Sequence, residues 1–255
     1  MKIQTEYIKV SDKKLPLAIS GKKLVIISDL HNNVIGKNNE ILKKLLKEIK
    51  PDGVIIAGDL FNGVGNNINS KDFFEYVNSM YPTYMVKGNH EDNLSYSNQE
   101  LLDYITNYSQ INSNFILLDN NCTEVFGVKL YGFTGDEKAY KRLFARKVSV
   151  EEIEKKLGIA DKNCYNIVVS HNPEGEIKYS EWGADMIISG HLHGGFIRIF
   201  NKGIITPQLK LFPKYTSGEY AIGDKCKLII SRGMGTHFPN PRLFNKSHLI
   251  VLDFK

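Results

Sequence analysis

Cysteine is scarce: Cys122, Cys164 and Cys226 are odd in number, far apart, and show no C-x-x-C spacing. That excludes a disulfide framework, and the three read as buried small hydrophobes in a reducing compartment. Long apolar runs are missing too. No stretch approaches the ~18 residues that span a bilayer, and the first twenty residues carry charges throughout, with no apolar core of the ~7–15 residues a signal peptide needs. A soluble cytoplasmic protein is the expectation, with peripheral contact at the inner membrane face left open. Lys and Arg outnumber Asp and Glu by 33 to 28, but the net +5 is spread without a dense basic run. No dedicated nucleic-acid module is therefore expected, while a modest positive balance suits an anionic substrate. Internal repeats and low-complexity tracts are absent as well.

What remains is globular: 42% hydrophobic and 24% charged residues in a chain of 255. That length is near the limit for one core, so a single domain over 1–255 is expected. Ile3 to Val10 alternates as an edge strand would. Lys22 to Ser28 and Val54 to Ala57 are apolar runs typical of buried strands. Between them, Gly36 to Lys50 sets Ile41, Leu42, Leu45, Leu46 and Ile49 on one helical stripe that Pro51 stops. This strand, helix, strand unit predicts parallel strands and a right-handed crossover. Asn62 to Ser70 reads as a loop, Lys71 to Met80 as a helix, Thr83 to Val86 as a strand, and Gln99 to Tyr108 as a helix. The second half is β-rich, with strands at Phe115–Leu118, Cys122–Phe126, Val128–Phe133, Asn166–Ser170 and Ala184–Ser189. Further strands are expected near Phe196 to Phe200, Glu219–Ile222, Lys227–Ser231 and His248–Phe254, and Val150–Leu157 is a short helix. Two sheets sharing one core would reconcile an α/β first half with a β-rich second half.

The chemistry concentrates where strands end. Val54-Ile55-Ile56-Ala57-Gly58 delivers Asp59 to the carboxyl end of a strand, the place open α/β sheets put their ligands. Alone, Asp59 reads as well as a turn or cap residue. The same construction recurs, however, at Asp29 with His31, Asn89 with His90, His171, and His191 with His193, so that five of seven histidines directly follow apolar strands. Each imidazole alone has an ordinary structural reading; the five together do not. Imidazole, carboxylate and amide oxygen suit zinc, manganese or iron better than calcium. Seven candidate ligands exceed one tetrahedral ion. Two ions about 3.5–4 Å apart need a shared group, and Asp59, central in the set, is the natural bridge.

The order D-x-H (Asp29, His31), G-D (Gly58, Asp59), G-N-H-E (Gly88 to Glu91), a lone His171, and G-H-x-H (Gly190 to His193) resembles the calcineurin-like metallophosphoesterase family. The resemblance implies an α/β fold, a four-layer α-β-β-α sandwich with two mixed β-sheets. It also implies Asp29, His31 and His193 on one metal, Asn89, His171 and His191 on the other, and Asp59 on both. A hydroxide bridging the two ions would attack phosphorus, with His90 as the acid or the stabiliser of developing charge. Glu91 reads equally as a group orienting a ligand and as an exposed loop glutamate. Arg232 and Arg242 could hold a phosphate bidentately or be surface arginines.

Phe212 to Tyr220, Ser231-Arg232-Gly233 and Pro241 to Asn245 are similar to a bacterial branch of that family, which includes membrane-associated phosphodiesterases and UDP-2,3-diacylglucosamine pyrophosphohydrolases. That likeness implies a phosphodiester or pyrophosphate bond in a small phosphorylated substrate, such as a nucleotide-linked lipid or a phospholipid. Phe212, Tyr215, Phe238 and Phe244 fit either an apolar groove for such a substrate or core packing. The alternatives are a phosphomonoesterase or protein phosphatase of the same family and a metal-binding interaction module without turnover. Protein phosphatases of the family continue Gly-Asp into Asp-Arg-Gly, where this chain has Leu60-Phe61-Asn62-Gly63.

Overall fold

A computed structural model describes residues 3–92, 99–135, 148–199, 202–206, 211–236 and 242–255. The first half runs β1 (Ile3–Val10), β2 (Lys23–Ile27), α1 (Glu40–Ile49), β3 (Gly53–Ala57), α2 (Ile68–Met80), β4 (Thr83–Val86), α3 (Gln99–Ile111) and β5 (Phe115–Leu117). The second runs β6 (Asn121–Val125), β7 (Val128–Phe133), α4 (Val150–Leu157), β8 (Asn166–Ser170), α5 (Glu176–Trp182), β9 (Met186–Ser189), β10 (Arg198–Ile199), β11 (Lys202–Gly203), β12 (Gly218–Ile222), β13 (Cys226–Ile230) and β14 (Ser247–Phe254).

Strand parity builds the layers. Successive side chains on a strand face opposite ways, so Leu24 and Ile26 of β2 and Ile55 and Ala57 of β3 enter the middle of the molecule. There they pack with Ile167 and Val169 of β8 and with Met186 and Ile188 of β9. The alternate residues, Val25, Ile27, Val54 and Ile56, face outward and are covered by Leu42 and Leu46 of α1 and Phe73 and Phe74 of α2. On the other sheet, Val168, Ile187 and Leu228 are covered by Ile153 of α4 and by Tyr179 and Trp182 of α5. Helix, sheet, sheet, helix follows, with a central core drawn from both halves of the chain. Each such aliphatic side chain contributes about 1.5–3 kcal/mol on full burial.

The two sheets have six strands each, ordered β1-β14-β2-β3-β4-β5 and β12-β13-β9-β8-β7-β6, and both are mixed. β2, β3, β4 and β5 are parallel neighbours, as the crossover argument predicts. β14 inserts between β1 and β2, parallel to the first and antiparallel to the second. One end of the sandwich therefore collects the carboxyl ends of β2, β3 and β4 together with the amino ends of β1 and β14.

Several sequence expectations are corrected. α2 begins at Ile68, so the loop leaving Asp59 is shorter than Asn62–Ser70. α5 had no counterpart in the reading, because its seven residues are too few to show a period. Of the cysteines, only Cys226 is buried; Cys122 is exposed and Cys164 is partly so. Among the described residues no helix is long and apolar enough to cross a membrane.

Candidate metal centre

The loops after β2, β3, β8 and β9 meet at one end of the sandwich, held by main-chain bonds that run between them. Asp29 N–H donates to Gly58 O at 3.0 Å, His31 N–H to Asp59 O at 3.1 Å, and Gly190 N–H to His171 O at 3.1 Å. The turns are tight enough that Asp29, His31, Asp59, His191 and His193 all take left-handed backbone, with φ of 51°, 50°, 53°, 67° and 49°. Non-glycine residues there cost about 1–3 kcal/mol each and persist where the surroundings over-determine them, which is characteristic of functional sites. Gly58 is required for a separate reason: at φ +84° a side chain would begin 2.5 Å from His171 Nδ1.

The donor atoms converge. Asp29, His31 and His193 form one group able to hold a cation, His31, Asp59 and His90 a second, and Asp59, His171 and His191 a third, with ligand atoms in each within 4.8 Å of one another. His31 Nε2 and His193 Nε2 are 3.2 Å apart, and His193 Nε2 is 3.4 Å from Asp29 Oδ1. Asp59 Oδ2 lies 3.0 Å from His171 Nε2 and 3.7 Å from His31 Nε2. One oxygen thus lies near imidazoles that belong to different groups. Asn89 precedes His90, whose N–H donates to Asp59 Oδ1 at 2.9 Å. The Asn89 Oδ1 atom is buried without a hydrogen-bond partner among the described residues. A buried carbonyl oxygen left unpaired, beside nitrogens and carboxylates aimed at common points, is a donor set that fits a divalent cation.

The sequence model of the family described as calcineurin-like phosphoesterase matches residues 22–195, more than half of the chain. The chain belongs to the calcineurin-like phosphoesterase family. It is 29% identical over 99% of its length to an uncharacterized metallophosphoesterase of Campylobacter jejuni, of which it spans 64%. Against an uncharacterized metallophosphoesterase of Aquifex aeolicus it is 25% identical, over 99% of this chain and 92% of the relative. The crystal structure of a Thermus thermophilus protein superposes with a TM-score of 0.54 at 13% identity, over 83% of this chain and 89% of the other, and shows the shared fold.

Charge inside the cluster is strongly redistributed. At His171 burial works against a charged ring, but the Asp59 carboxylate overrides it, with Asp29 adding, and the pKa stands at about 10. Asp59 shows the converse: burial would raise it, and the His171 charge holds it well below the usual carboxylate range. Burial lifts Asp29 to about 6 in spite of His171. His171 Nδ1 sits 2.7 Å from Ala57 O, to which it donates, and this fixes Nε2 toward the cluster.

Glu91, read from the sequence as a loop residue, lies in a helical turn over 89–92 and is fully buried, which settles the choice left open. Its Oε2 accepts from Asp59 N–H and Gly88 N–H, both at 2.8 Å, and its Oε1 from Phe61 N–H at 2.9 Å. One carboxylate thus pins the loops after β3 and β4 together. Burial and then the Asp59 charge push its pKa up to about 7. His90 Nδ1 accepts from Gly63 N–H at 3.2 Å, so a neutral ring carries its proton on Nε2. Asn67 braces that loop, exchanging hydrogen bonds with the Asn62 main chain at 2.7 and 3.0 Å.

The two arginines fare differently. Arg242 directs Nε, Nη1 and Nη2 at the carbonyl oxygens of Asn245, Gly235, Gly233 and Lys246, at 2.7–3.2 Å, and so shapes the loop before β14. Arg232 is buried, with Nη2 donating to Gln4 Oε1 at 2.9 Å. Sequence reasoning missed Asn245 as a functional group and did not register Arg198 at all. Asn245 Nδ2 donates to His193 O and Gly195 O at 2.5 and 2.8 Å, holding the G-H-x-H turn from behind. Core packing does not account for Phe212 and Phe244, which are 76% and 89% exposed. Tyr215 packs on Tyr220, and Phe238 lies outside the described residues.

Proposed function

We propose that the chain is a binuclear metal-dependent phosphoesterase that hydrolyses a phosphodiester or pyrophosphate bond. Asp29, His31 and His193 hold one divalent ion (manganese, iron or zinc), Asn89, His171 and His191 hold the other, and Asp59 holds both. The observation that carries this reading is that Asp59 Oδ2 lies within 3.7 Å of His31 Nε2 and 3.0 Å of His171 Nε2, closer to both than Asp29 Oδ1 at 4.0 and 3.8 Å. Bound there, two such ions supply Lewis-acid charge for the phosphoryl oxygens and a water acidified to near neutral pH.

The chain's own groups do the rest. Asp59 and His171 give up the proton they hold between them when the cations enter. His90, with Nδ1 engaged by Gly63, keeps Nε2–H available to protonate the departing oxygen or to hydrogen-bond the charge growing on phosphorus. Its ring centroid is 4.6 Å from that of His31, beside the metal-facing groups. Glu91 and Asn245 position the ligand loops and touch nothing that reacts. The exposed Phe212 and Phe244 support a substrate with an apolar part, such as a nucleotide-linked lipid or a phospholipid. Phe244 precedes Asn245, whose Nδ2 donates to His193 O of the G-H-x-H turn.

The test is hydrolysis of bis(p-nitrophenyl) phosphate against p-nitrophenyl phosphate with manganese present, for the parent and for His90→Ala. The diester should be preferred, and the variant should retain its metal while kcat falls about 10²–10⁴-fold. Preference for the monoester contradicts the bond assignment, and unchanged turnover in the variant contradicts the role of His90.

A further inference from the structure

Behind His193 the protein buries two guanidinium groups that the metal chemistry does not use. Arg198 lies in β10 and Arg232 follows β13, and each is 6% exposed. Gly194 lets them meet: a side chain there would begin 2.6 Å from Arg232 Cγ, 2.8 Å from its Cδ and 3.1 Å from Arg198 Nη1. Arg198 Nη1 donates to Gly194 O at 2.9 Å, which ties that side chain to the residue after a proposed ligand. Arg232 donates Nη2 to Gln4 Oε1, and its buried Nε has no hydrogen-bond partner among the described residues. The acid in the vicinity, Glu6, turns its Oε2 to His248 Nε2 at 2.8 Å.

A cavity of about 340 Å³ opens onto this pair, walled by Gln4 and Glu6 of β1 and by Ser217 and Gly218 where β12 begins. Topology puts it at the same end of the sandwich as the metal cluster. β1 runs parallel to β14, with Gln4 opposite His248, and β14 is antiparallel to β2, so the amino end of β1 lies beside the carboxyl end of β2. Arg232 leaves β13 at the end where the parallel β9 releases His191.

A buried guanidinium N–H without an acceptor is costly, and a second positive charge beside it adds repulsion. Burial first, and Arg198 after it, push the Arg232 pKa down to about 10 although Glu6 opposes them. An oxyanion in the cavity would answer both costs at once, because a carboxylate or phosphate accepts bidentately from such a fork.

We propose that Arg198 and Arg232 form an oxyanion pocket beside the metal centre. It takes a phosphate or carboxylate group that is not itself cleaved, either the second acidic group of a substrate or free phosphate. The substrate arm rests on the phosphoesterase reading above and narrows it to esters carrying a second anion.

Two chromogenic diesters test it on the metal-loaded protein: thymidine 5′-(p-nitrophenyl phosphate), with and without a 3′-phosphate. In Arg232→Gln, KM for the 3′-phosphorylated ester should rise at least about tenfold more than KM for the other, as loss of a charged hydrogen bond implies. In Glu6→Gln, which removes the competing negative charge, KM for the 3′-phosphorylated ester should fall relative to the other. Opposite signs are the signature, since mere damage to the fold would move both variants the same way. Equal shifts for both esters, or a rise in Glu6→Gln, overturn the substrate arm. Should Arg232→Gln not fold, the Glu6→Gln ratio decides alone, and no change counts against the proposal.

Titration with inorganic phosphate in a calorimeter separates the sources and does not depend on turnover. The parent should bind one more phosphate per chain than Arg232→Gln. Equal stoichiometry together with unshifted KM ratios removes the pocket. If neither ester is cleaved but the extra phosphate binds, the pocket stands with free phosphate as its ligand, and it is the phosphoesterase reading that has failed.

Discussion

Replacing Glu91 by alanine removes the acceptor of three buried N–H groups in one step. Asp59, Phe61 and Gly88 lose partners now at 2.8, 2.9 and 2.8 Å. A buried donor left unsatisfied costs about 1–3 kcal/mol, and water entering the vacated space would recover part of that. A destabilisation of about 3–6 kcal/mol follows, a large fraction of the ~5–15 kcal/mol that holds a typical domain together. Glu91→Gln should be milder, about 1–3 kcal/mol. Its remaining oxygen can keep the two bonds made by Oε2, and losing the charge relieves the repulsion from Asp59 that helps raise the Glu91 pKa to about 7. Urea unfolding of the metal-free protein, with elemental analysis alongside, reads both effects. The alanine variant should also bind less metal, because Asp59 N–H and Gly88 N–H are held by the same oxygen. A Glu91→Ala protein within about 1 kcal/mol of the parent and fully metallated would refute the claim that this carboxylate organises the site.

Gly58→Ala should cut metal content by half or more, since the new methyl would begin 2.5 Å from His171 Nδ1 and 2.9 Å from Gly88 Cα. Full occupancy in that variant would show that the loop yields more easily than its contacts imply. The proton on His171 sets a pH dependence. Its folded pKa of about 10 lies above the ordinary 6.5. The stability it lends the metal-free protein is therefore complete below about pH 6.5 and lost as pH rises through about 10. Metal binding must displace that proton, so apparent affinity should rise by up to about tenfold per pH unit near neutrality. Calorimetry in buffers of different ionisation enthalpy should find protons released on binding, and none released would contradict the pairing of His171 with Asp59. Asp59→Asn should lower metal content itself, whereas His90→Ala should leave it intact.

The strands that carry the ligands were legible because each is a short apolar run closed by glycine, serine or lysine and then by one or two side chains able to coordinate. Such a local signal survives without knowledge of the rest of the chain. The placement of β14 was not legible, because nothing in Ser247–Phe254 says that it will pair with both β1 and β2; strand order is decided by the whole sheet. Glu91 defeated sequence reasoning for a related reason. Read as a loop acid it should be exposed; it sits instead in a helical turn over 89–92, and only the approach of the loop after β3 buries it and completes its three donors. Arg198 carries no pattern at all, and its meaning comes from Arg232, 34 positions later in the numbering, meeting it across Gly194. The left-handed backbone at Asp29, His31, Asp59, His191 and His193 was equally silent, since aspartate and histidine are not residues from which positive φ is expected as glycine would be.

The central claim is that seven side chains from distant strand ends cage two cations, with Asp59 between them. Anomalous diffraction from crystals loaded with manganese addresses it most directly. The account predicts two peaks about 3.5–4 Å apart, one contacted by Asp29, His31 and His193, the other by Asn89, His171 and His191, with Asp59 touching both. A single peak, or two that Asp59 does not link, would contradict it.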